Sequence, residues 1–296
     1  MRFIDKYSLL AMTESNITYR QLWTSLLDLY DRPEAQSIVR LVLESRFGLD
    51  LTAIVCGGVE ALSDEQKQEL AAIASRLKCG EPVQYVLGEA WFCVRRFHVA
   101  PGVLIPRAET EELCAVIMAK ETLSGRKVLD IGTGSGCIAI TLALALPDAT
   151  VSAIDVSEKA LAIARENAAA LGASVDFIKQ DILDRSQDGA ADATYDVIVS
   201  NPPYVTLSEK KDMRVNVLDH EPSLALFVPD DDALRFYRAI ADYALANLTE
   251  GGRLYFEINP LFANELCRML EDKGFTHVRI VNDSFGKSRF AIGTKV

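Results

Sequence analysis

Apolar residues recur at helical spacing through roughly the first eighty positions. In Thr18–Tyr30, Leu22, Leu26 and Leu29 fall on one face. In Glu34–Phe47, Ile38, Leu41, Val42 and Ser45 keep the same period, with Pro33 opening the stretch and Gly48 closing it. Ser63 and Gln66 form a capping box ahead of Gln68–Leu77, which Gly80 ends. No period-two alternation occurs, so residues 1–80 predict a small helical bundle. Residues 81–107 change character: Gly80-Glu81-Pro82 breaks the helix. Trp91–Val94 and Phe97–Val99 then read as short β-type runs separated by Arg95-Arg96, a hairpin connector.

Residues 108–296 predict strands alternating with amphipathic helices. The strand candidates are Lys127–Ile131, Thr150–Asp155, Ser174–Lys179, Tyr195–Ser200, Arg253–Ile258, His277–Asn282 and Arg289–Thr294. Near-continuous apolar strands joined by helices imply a parallel sheet covered on both faces. The last two runs are separated only by Asp283–Ser288, too short for a crossover helix, so the final strand is expected to run antiparallel. The predicted fold class is α/β, a Rossmann-like domain with a mostly parallel seven-stranded sheet.

Two turns in this domain carry chemistry. The first is Asp130-Ile131-Gly132-Thr133-Gly134-Ser135-Gly136, between strand and helix, with Asp155 ending the next strand 19 residues after Gly136. Glycines let the backbone turn sharply and approach a ligand, and a carboxylate in the position of Asp155 suits ribose hydroxyls. Two cofactors fit. A dinucleotide accepts the looser Gly134-Ser135-Gly136-Cys137-Ile138-Ala139 pattern, and S-adenosylmethionine (AdoMet) accepts Asp130–Gly136. The acid at Asp130 favours AdoMet, whose methionyl end is cationic, and opposes a pyrophosphate. After the third strand, Asp181 and Ile182 are placed to meet an adenine amine and ring face, although Asp181 also suits a turn cap.

The second turn is Asn201-Pro202-Pro203-Tyr204, following Ser200. Two prolines fix φ and remove two backbone donors, which leaves the Pro202 carbonyl free and rigidly aimed. Asn201 adds a side-chain acceptor and Tyr204 a flat wall, expected to act through its ring rather than its hydroxyl. Two acceptors beside a ring suit a planar amide or aromatic amine.

Composition narrows the class of substrate. The 296 residues carry 31 Lys+Arg against 42 Asp+Glu, a net charge of −11. Long-range attraction to nucleic acid or to an anionic membrane is therefore not expected. The six cysteines and three histidines lack zinc spacing, so no metal is expected. Met1–Leu10 lacks the apolar stretch of a signal peptide, and the run Cys137–Pro147 is too short to span a bilayer, so a cytoplasmic protein is expected. No heptad seam suggests oligomerisation, so a monomer is expected.

With both turns in hand, the chain resembles class I AdoMet-dependent N-methyltransferases and, more narrowly, the peptide chain release factor glutamine methyltransferase family. Further segments carry that resemblance: Gly80-Glu81-Pro82-Val83-Gln84-Tyr85-Val86-Leu87-Gly88, Val103–Glu111, and Glu221-Pro222 followed by Ala225-Leu226. The Asn-Pro-Pro-Tyr turn alone is shared with DNA adenine and RNA methyltransferases. The resemblance implies methylation of the Gly-Gly-Gln glutamine of bacterial class 1 release factors. A sister branch acts on a ribosomal-protein glutamine. It also implies that Gly132, Gly134, Gly136, Asp155, Ile182 (or Asp181) and Asn201 contact AdoMet. Asn201 through Tyr204 would hold the glutamine, and Arg107, Thr110 and Glu111 would support the methionyl end or its wall. The helical segment 1–80 would dock the protein substrate. One stretch departs from the family pattern: Glu257-Ile258-Asn259-Pro260 stands where Glu-Ile-Gly or Glu-His-Gly is usual.

Overall fold

The computed structural model describes residues 17–121, 125–146, 148–184 and 194–296. Met1–Leu10 and Pro147 therefore lie outside the described residues. The chain divides into two compact units, Met1–Gly88 and Glu89–Val296.

The first unit contains helices α1 (Tyr19–Thr24), α2 (Arg32–Phe47), α3 (Leu51–Val55), α4 (Asp64–Lys78) and α5 (Val83–Leu87). Asp31 caps α2 by accepting from the Glu34 amide, and Ser63 with Gln66 forms the predicted box ahead of α4. α1 is shorter than the periodicity predicts. The Thr24 hydroxyl donates to the Arg20 carbonyl at 2.8 Å and the Ser25 hydroxyl to the Leu22 carbonyl at 2.7 Å. Such side-chain bonds compete with continuation of the helix. Leu26 and Tyr30 are still buried, with Val42, Leu43, Leu70 and Leu77.

The second unit opens with β1 (Glu89–Phe92) and β2 (Arg95–His98), an antiparallel hairpin. Its turn is Cys93-Val94, not Arg95-Arg96. Both turn residues have positive φ, 46° and 61°, the conformation a two-residue hairpin loop needs to match strand twist. Cys-Val carries none of the glycine or asparagine that signals this turn, and so the sequence pattern misplaces it. Phe92 and Phe97 are fully buried, edge to face at 5.9 Å between ring centres.

Then follow α6 (Ala108–Lys120), β3 (Lys127–Ile131), α7 (Cys137–Ala145), β4 (Thr150–Asp155), α8 (Glu158–Leu171), β5 (Asp176–Lys179) and β6 (Tyr195–Ser200). The chain continues through β7 (Val205–Thr206), α9 (Val215–His220), α10 (Ser223–Leu226), β8 (Phe227–Val228), α11 (Arg235–Asn247), β9 (Leu248–Glu257), α12 (Ala263–Asp272), β10 (Thr276–Asn282) and β11 (Ser288–Thr294). Seven strands form one sheet in the order β10-β11-β9-β6-β3-β4-β5, with β11 antiparallel to both its neighbours. Alternate strand residues feed two cores. Val128, Val197 and Tyr255 pack with α6 and α7 residues such as Leu113 and Ile138. Leu129, Ile198 and Phe256 pack with Tyr237 and Ile240 of α11 and Leu266 of α12. Each fully buried aliphatic side chain contributes roughly 1.5–3 kcal/mol. β9 starts earlier than predicted because Leu248 already pairs with Tyr195 of β6, and beyond it the Gly251 amide donates to the Lys295 carbonyl at 2.9 Å. Among the described residues, no helix is long and apolar enough to cross a membrane.

The register positions the site. Ile131 at the end of β3 lies opposite Ile154 of β4 and Ser200 of β6, and Asp155 lies opposite Lys179 of β5. The glycine loop, Asp155, Asp181 and Asn201 therefore leave adjacent strands at their carboxyl ends. β3 is where the strand order reverses, which is where open α/β sheets bind ligands.

Candidate active site

Gly132, Gly134 and Gly136 have φ of 75°, 56° and 81°, the left-handed region that penalises a side chain. They serve different ends. A Cβ on Gly132 or Gly134 would meet no protein atom within 4 Å, whereas one on Gly136 would lie 2.8 Å from Ile140 Cδ1 and 3.1 Å from Ala164 Cβ. Gly136 thus lets α7 pack on α8, while the first two keep the loop open on its outer side.

The loop borders a cavity of about 320 Å³. Of the sequence-predicted residues, Gly132, Gly134, Asp155, Asp181, Ile182, Asn201, Pro202 and Pro203 line it. Asp130, Thr133, Ser135 and Gly136 do not line its walls; they form the loop's underside. Asp130 is fully buried, and its Oδ2 accepts from the Thr133 hydroxyl at 2.6 Å and the Ala139 amide at 3.3 Å. Its Oδ1 has no hydrogen-bond partner among the described residues, and burial raises its pKa to about 7. The Ser135 carbonyl accepts from Asn167 Nδ2 at 2.9 Å, and Asn167 also exchanges hydrogen bonds with His98 of β2. Asn167, which sequence reasoning missed, thereby ties the hairpin to the loop.

Asp155 Oδ2 accepts from the Gly134 amide at 2.9 Å and Oδ1 from the Ser157 amide at 2.8 Å. Each oxygen keeps a second lone pair, so the carboxylate can brace the loop and still accept hydroxyls. Burial pushes it above the usual carboxylate range, against the pull of those amides. Asp181 Oδ1 accepts from the Leu183 amide at 2.9 Å, so it caps its turn while also lining the cavity. These features fit AdoMet. They combine an open glycine edge, a carboxylate with spare acceptors, and a buried acid beneath the loop, one oxygen of which has no donor, that a nearby cation would favour in its ionised form.

A smaller cavity of about 50 Å³ shares Asn201 and Pro202 with the first and adds Arg107, Tyr204 and Glu257. Ser200 anchors this turn, its hydroxyl donating to the Ile131 carbonyl at 2.7 Å. Asn201 Nδ2 donates to Thr110 Oγ1 at 3.1 Å, and the Thr110 hydroxyl donates to Glu257 Oε2 at 2.7 Å. The Tyr204 hydroxyl donates to Glu257 Oε1 at 2.9 Å. Beyond the ring that the sequence singles out, the Tyr204 hydroxyl satisfies a carboxylate that is 1% exposed. Burial and the neighbouring Glu257 charge push the phenol far above its usual pKa, so it stays a donor. Burial likewise raises Glu257, opposed by its two hydroxyl donors.

Among the residues implied by resemblance, Thr110 joins this chain of bonds and Arg107 pairs with buried Glu221, whose other oxygen accepts from the Ile105 amide at 3.1 Å. Glu111 lines neither cavity. The departing Asn259 also has a place. Its Nδ2 donates to the Tyr204 carbonyl at 3.1 Å and to Glu209, and its Oδ1 accepts from the Leu261 amide. It staples the far end of the Asn-Pro-Pro-Tyr turn. The sequence signal for Glu257 is an acid inside the otherwise apolar Leu254–Ile258 run.

Comparison with known proteins gives a consistent picture. A family model described as the PrmC N-terminal domain matches residues 19–88, and one described as a methyltransferase small domain matches residues 108–221. A release factor glutamine methyltransferase of Bacteroides thetaiotaomicron is 51% identical over 265 residues, covering 90% of this chain and 94% of that protein. A protein of the same description from Flavobacterium psychrophilum is 42% identical, covering 91% and 95% respectively. Among solved structures, a T. thermophilus 16S rRNA methyltransferase in complex with AdoMet and guanosine is 19% identical with a TM-score of 0.52. The match covers 70% of this chain and 50% of that one, a likeness of fold.

Proposed function

The chain belongs to the release factor glutamine methyltransferase family, and on that premise we propose that it transfers a methyl group from AdoMet to the side-chain nitrogen (N5) of the Gly-Gly-Gln glutamine in bacterial class 1 peptide chain release factors. The observation that carries the reading is the pairing of the Asn201 amide, held by Thr110, with Pro202, which has no backbone donor, on a wall shared by two adjoining cavities. In this reading Gly132, Gly134, Asp155, Asp181, Ile182 and Asn201 hold AdoMet. Asn201, Pro202, Pro203 and Tyr204 hold the glutamine.

Bound AdoMet supplies an electrophilic methyl on a cationic sulfur. The protein's task is to make an amide nitrogen reactive, since its lone pair is delocalised into the carbonyl. Asn201 Oδ1 and the Pro202 carbonyl accept the two N–H bonds and turn the nitrogen so that its lone pair faces the cofactor cavity. The same acceptors stabilise the positive charge that grows on nitrogen as the C–N bond forms. The proton leaves afterwards, when the nitrogen is cationic and strongly acidic, so no strong base must act first. Tyr204 walls the pocket from water.

The net charge of −11 supports a protein substrate over DNA or RNA. The reading assigns substrate docking to the helical unit, and describes a cytoplasmic enzyme acting as a monomer. Asn201→Ala should lower turnover on release factor by about 10² or more while AdoMet binding partly survives. Near-normal turnover of that variant would sink the assignment.

A further inference from the structure

We propose that Glu257 is a specificity-determining, positioning residue: through Thr110 it fixes which end of the Asn201 amide faces substrate, so that the site accepts an amide and refuses a carboxylate. The inference rests on the glutamine reading above. It follows from counting protons along one chain of hydrogen bonds. A carboxylate has no proton to give, so both hydroxyls that reach Glu257 must donate: Thr110 at 2.7 Å and Tyr204 at 2.9 Å. Thr110 has one hydroxyl proton and has committed it. Toward Asn201 it can only accept, and the 3.1 Å contact must then be made by Asn201 Nδ2. Oδ1 is left as the acceptor for substrate, matching the Pro202 carbonyl.

The direction of every bond in this chain therefore depends on a negative charge two residues away from the reacting amide. Glu257 is 1% exposed and Thr110 2% exposed, so the bond between them is shielded from bulk water. Burial and Glu109 on α6 disfavour the charge on Glu257, and the Thr110 and Tyr204 hydroxyls and Arg289 on β11 hold it. The Tyr237 hydroxyl of α11 donates to the Glu257 carbonyl at 3.1 Å and fixes the backbone there. A neutral amide at position 257 removes the constraint. Its N–H can donate to Thr110, whose hydroxyl is then free to donate to Asn201 Oδ1. The Asn201 amide is nearly isosteric under a half-turn, so it can flip and present its –NH2 to substrate. The pocket would then offer one donor and one acceptor, which no longer repels a carboxylate.

The test compares two release factor substrates, one with the Gly-Gly-Gln glutamine and one with that glutamine replaced by glutamate. Transfer to the amide forms a C–N bond, breaks the methyl–sulfur bond and releases the N–H proton, giving a base-stable methylamide. Transfer to the carboxylate forms a C–O bond at the same cost and gives a base-labile ester, so labelled AdoMet reads both. Wild type should prefer glutamine by on the order of 10⁴ in kcat/KM. Glu257→Gln and Thr110→Val should each reduce that ratio at least about tenfold, with AdoMet Kd within about twofold of wild type, and Thr110→Ser should restore it. Thr110→Val decides the matter if Glu257→Gln does not fold, because it breaks the same chain without altering the carboxylate. An unchanged ratio in the variants, with only a general loss of kcat, would overturn the inference and leave Glu257 a structural acid. Failure of the wild type to methylate the glutamine substrate would instead overturn the functional reading.

Discussion

Gly134→Ala and Gly136→Ala change the same loop by one methyl each and should fail in different ways. Both residues sit at positive φ, 56° and 81°, where an L side chain costs roughly 1–2 kcal/mol. Reduced freedom of the unfolded chain returns about 0.4–1 kcal/mol of that. For Gly134 nothing further is lost, since its Cβ would meet no protein atom within 4 Å, and the net destabilisation should be about 1 kcal/mol. At Gly136 the new methyl would sit 2.8 Å from Ile140 Cδ1 and 3.1 Å from Ala164 Cβ. Both neighbours are fully buried, and Ala164 has no rotamer with which to yield, so overpacking adds roughly 1–3 kcal/mol. Urea midpoints at constant m-value should therefore rank Gly136→Ala well below Gly134→Ala. Titration calorimetry with AdoMet should rank affinity the other way, because Gly134 lines the cavity and its open side is where the methyl goes. A tenfold or larger rise in Kd, about 1.4 kcal/mol, is expected for Gly134→Ala. Equal stability of the two variants would refute the packing argument. Unchanged AdoMet affinity of Gly134→Ala would refute the loop as the cofactor's seat.

Tyr204→Phe keeps the ring but leaves Glu257 Oε1 without its donor, so turnover should fall clearly, and Tyr204→Ala should fall further; full activity of Tyr204→Phe would show that the 2.9 Å bond does no work in catalysis. Asp130 supplies a pH dependence of opposite sign to an ordinary paired carboxylate. Its folded pKa, about 7, lies above the ordinary 3.8, so the native state binds this proton more tightly than the unfolded chain. Its contribution to stability is therefore lost as pH rises from about 4 to about 7, by at most roughly 4 kcal/mol. Asp130→Asn should flatten that part of the stability–pH curve, and parallel curves for wild type and variant would contradict the assignment. Removal of Met1–Gly88 should leave AdoMet affinity intact and lower kcat/KM for whole release factor; equal efficiency would show that the helical unit does not dock substrate.

Much of the fold is legible from period alone, because strands covered on both faces have to be apolar throughout. Val128–Ile131 and Val197–Ser200 could be placed without any structure for that reason. The hairpin turn was not legible, because Cys93-Val94 holds left-handed backbone without a residue type that advertises it. Within the site, glycines and prolines announce themselves through backbone chemistry. The second rank of the site does not. Asn167, Thr110 and Glu257 act across sequence separations of 32, 91 and 147 residues, and only the folded sheet brings their partners together. Asp130, Thr133 and Ser135 belong to the legible motif, but all three are buried beneath the loop, where the Thr133 hydroxyl donates to Asp130.

The central claim is that this site methylates a protein glutamine. The most direct measurement offers the purified protein labelled AdoMet with a class 1 release factor, a ribosomal protein and adenine-containing DNA in parallel, then locates the label by peptide mass spectrometry. A single methyl is expected on the side-chain nitrogen of the Gly-Gly-Gln glutamine, absent with Asn201→Ala. Label on the ribosomal protein or the DNA, with the release factor unmodified, would contradict it.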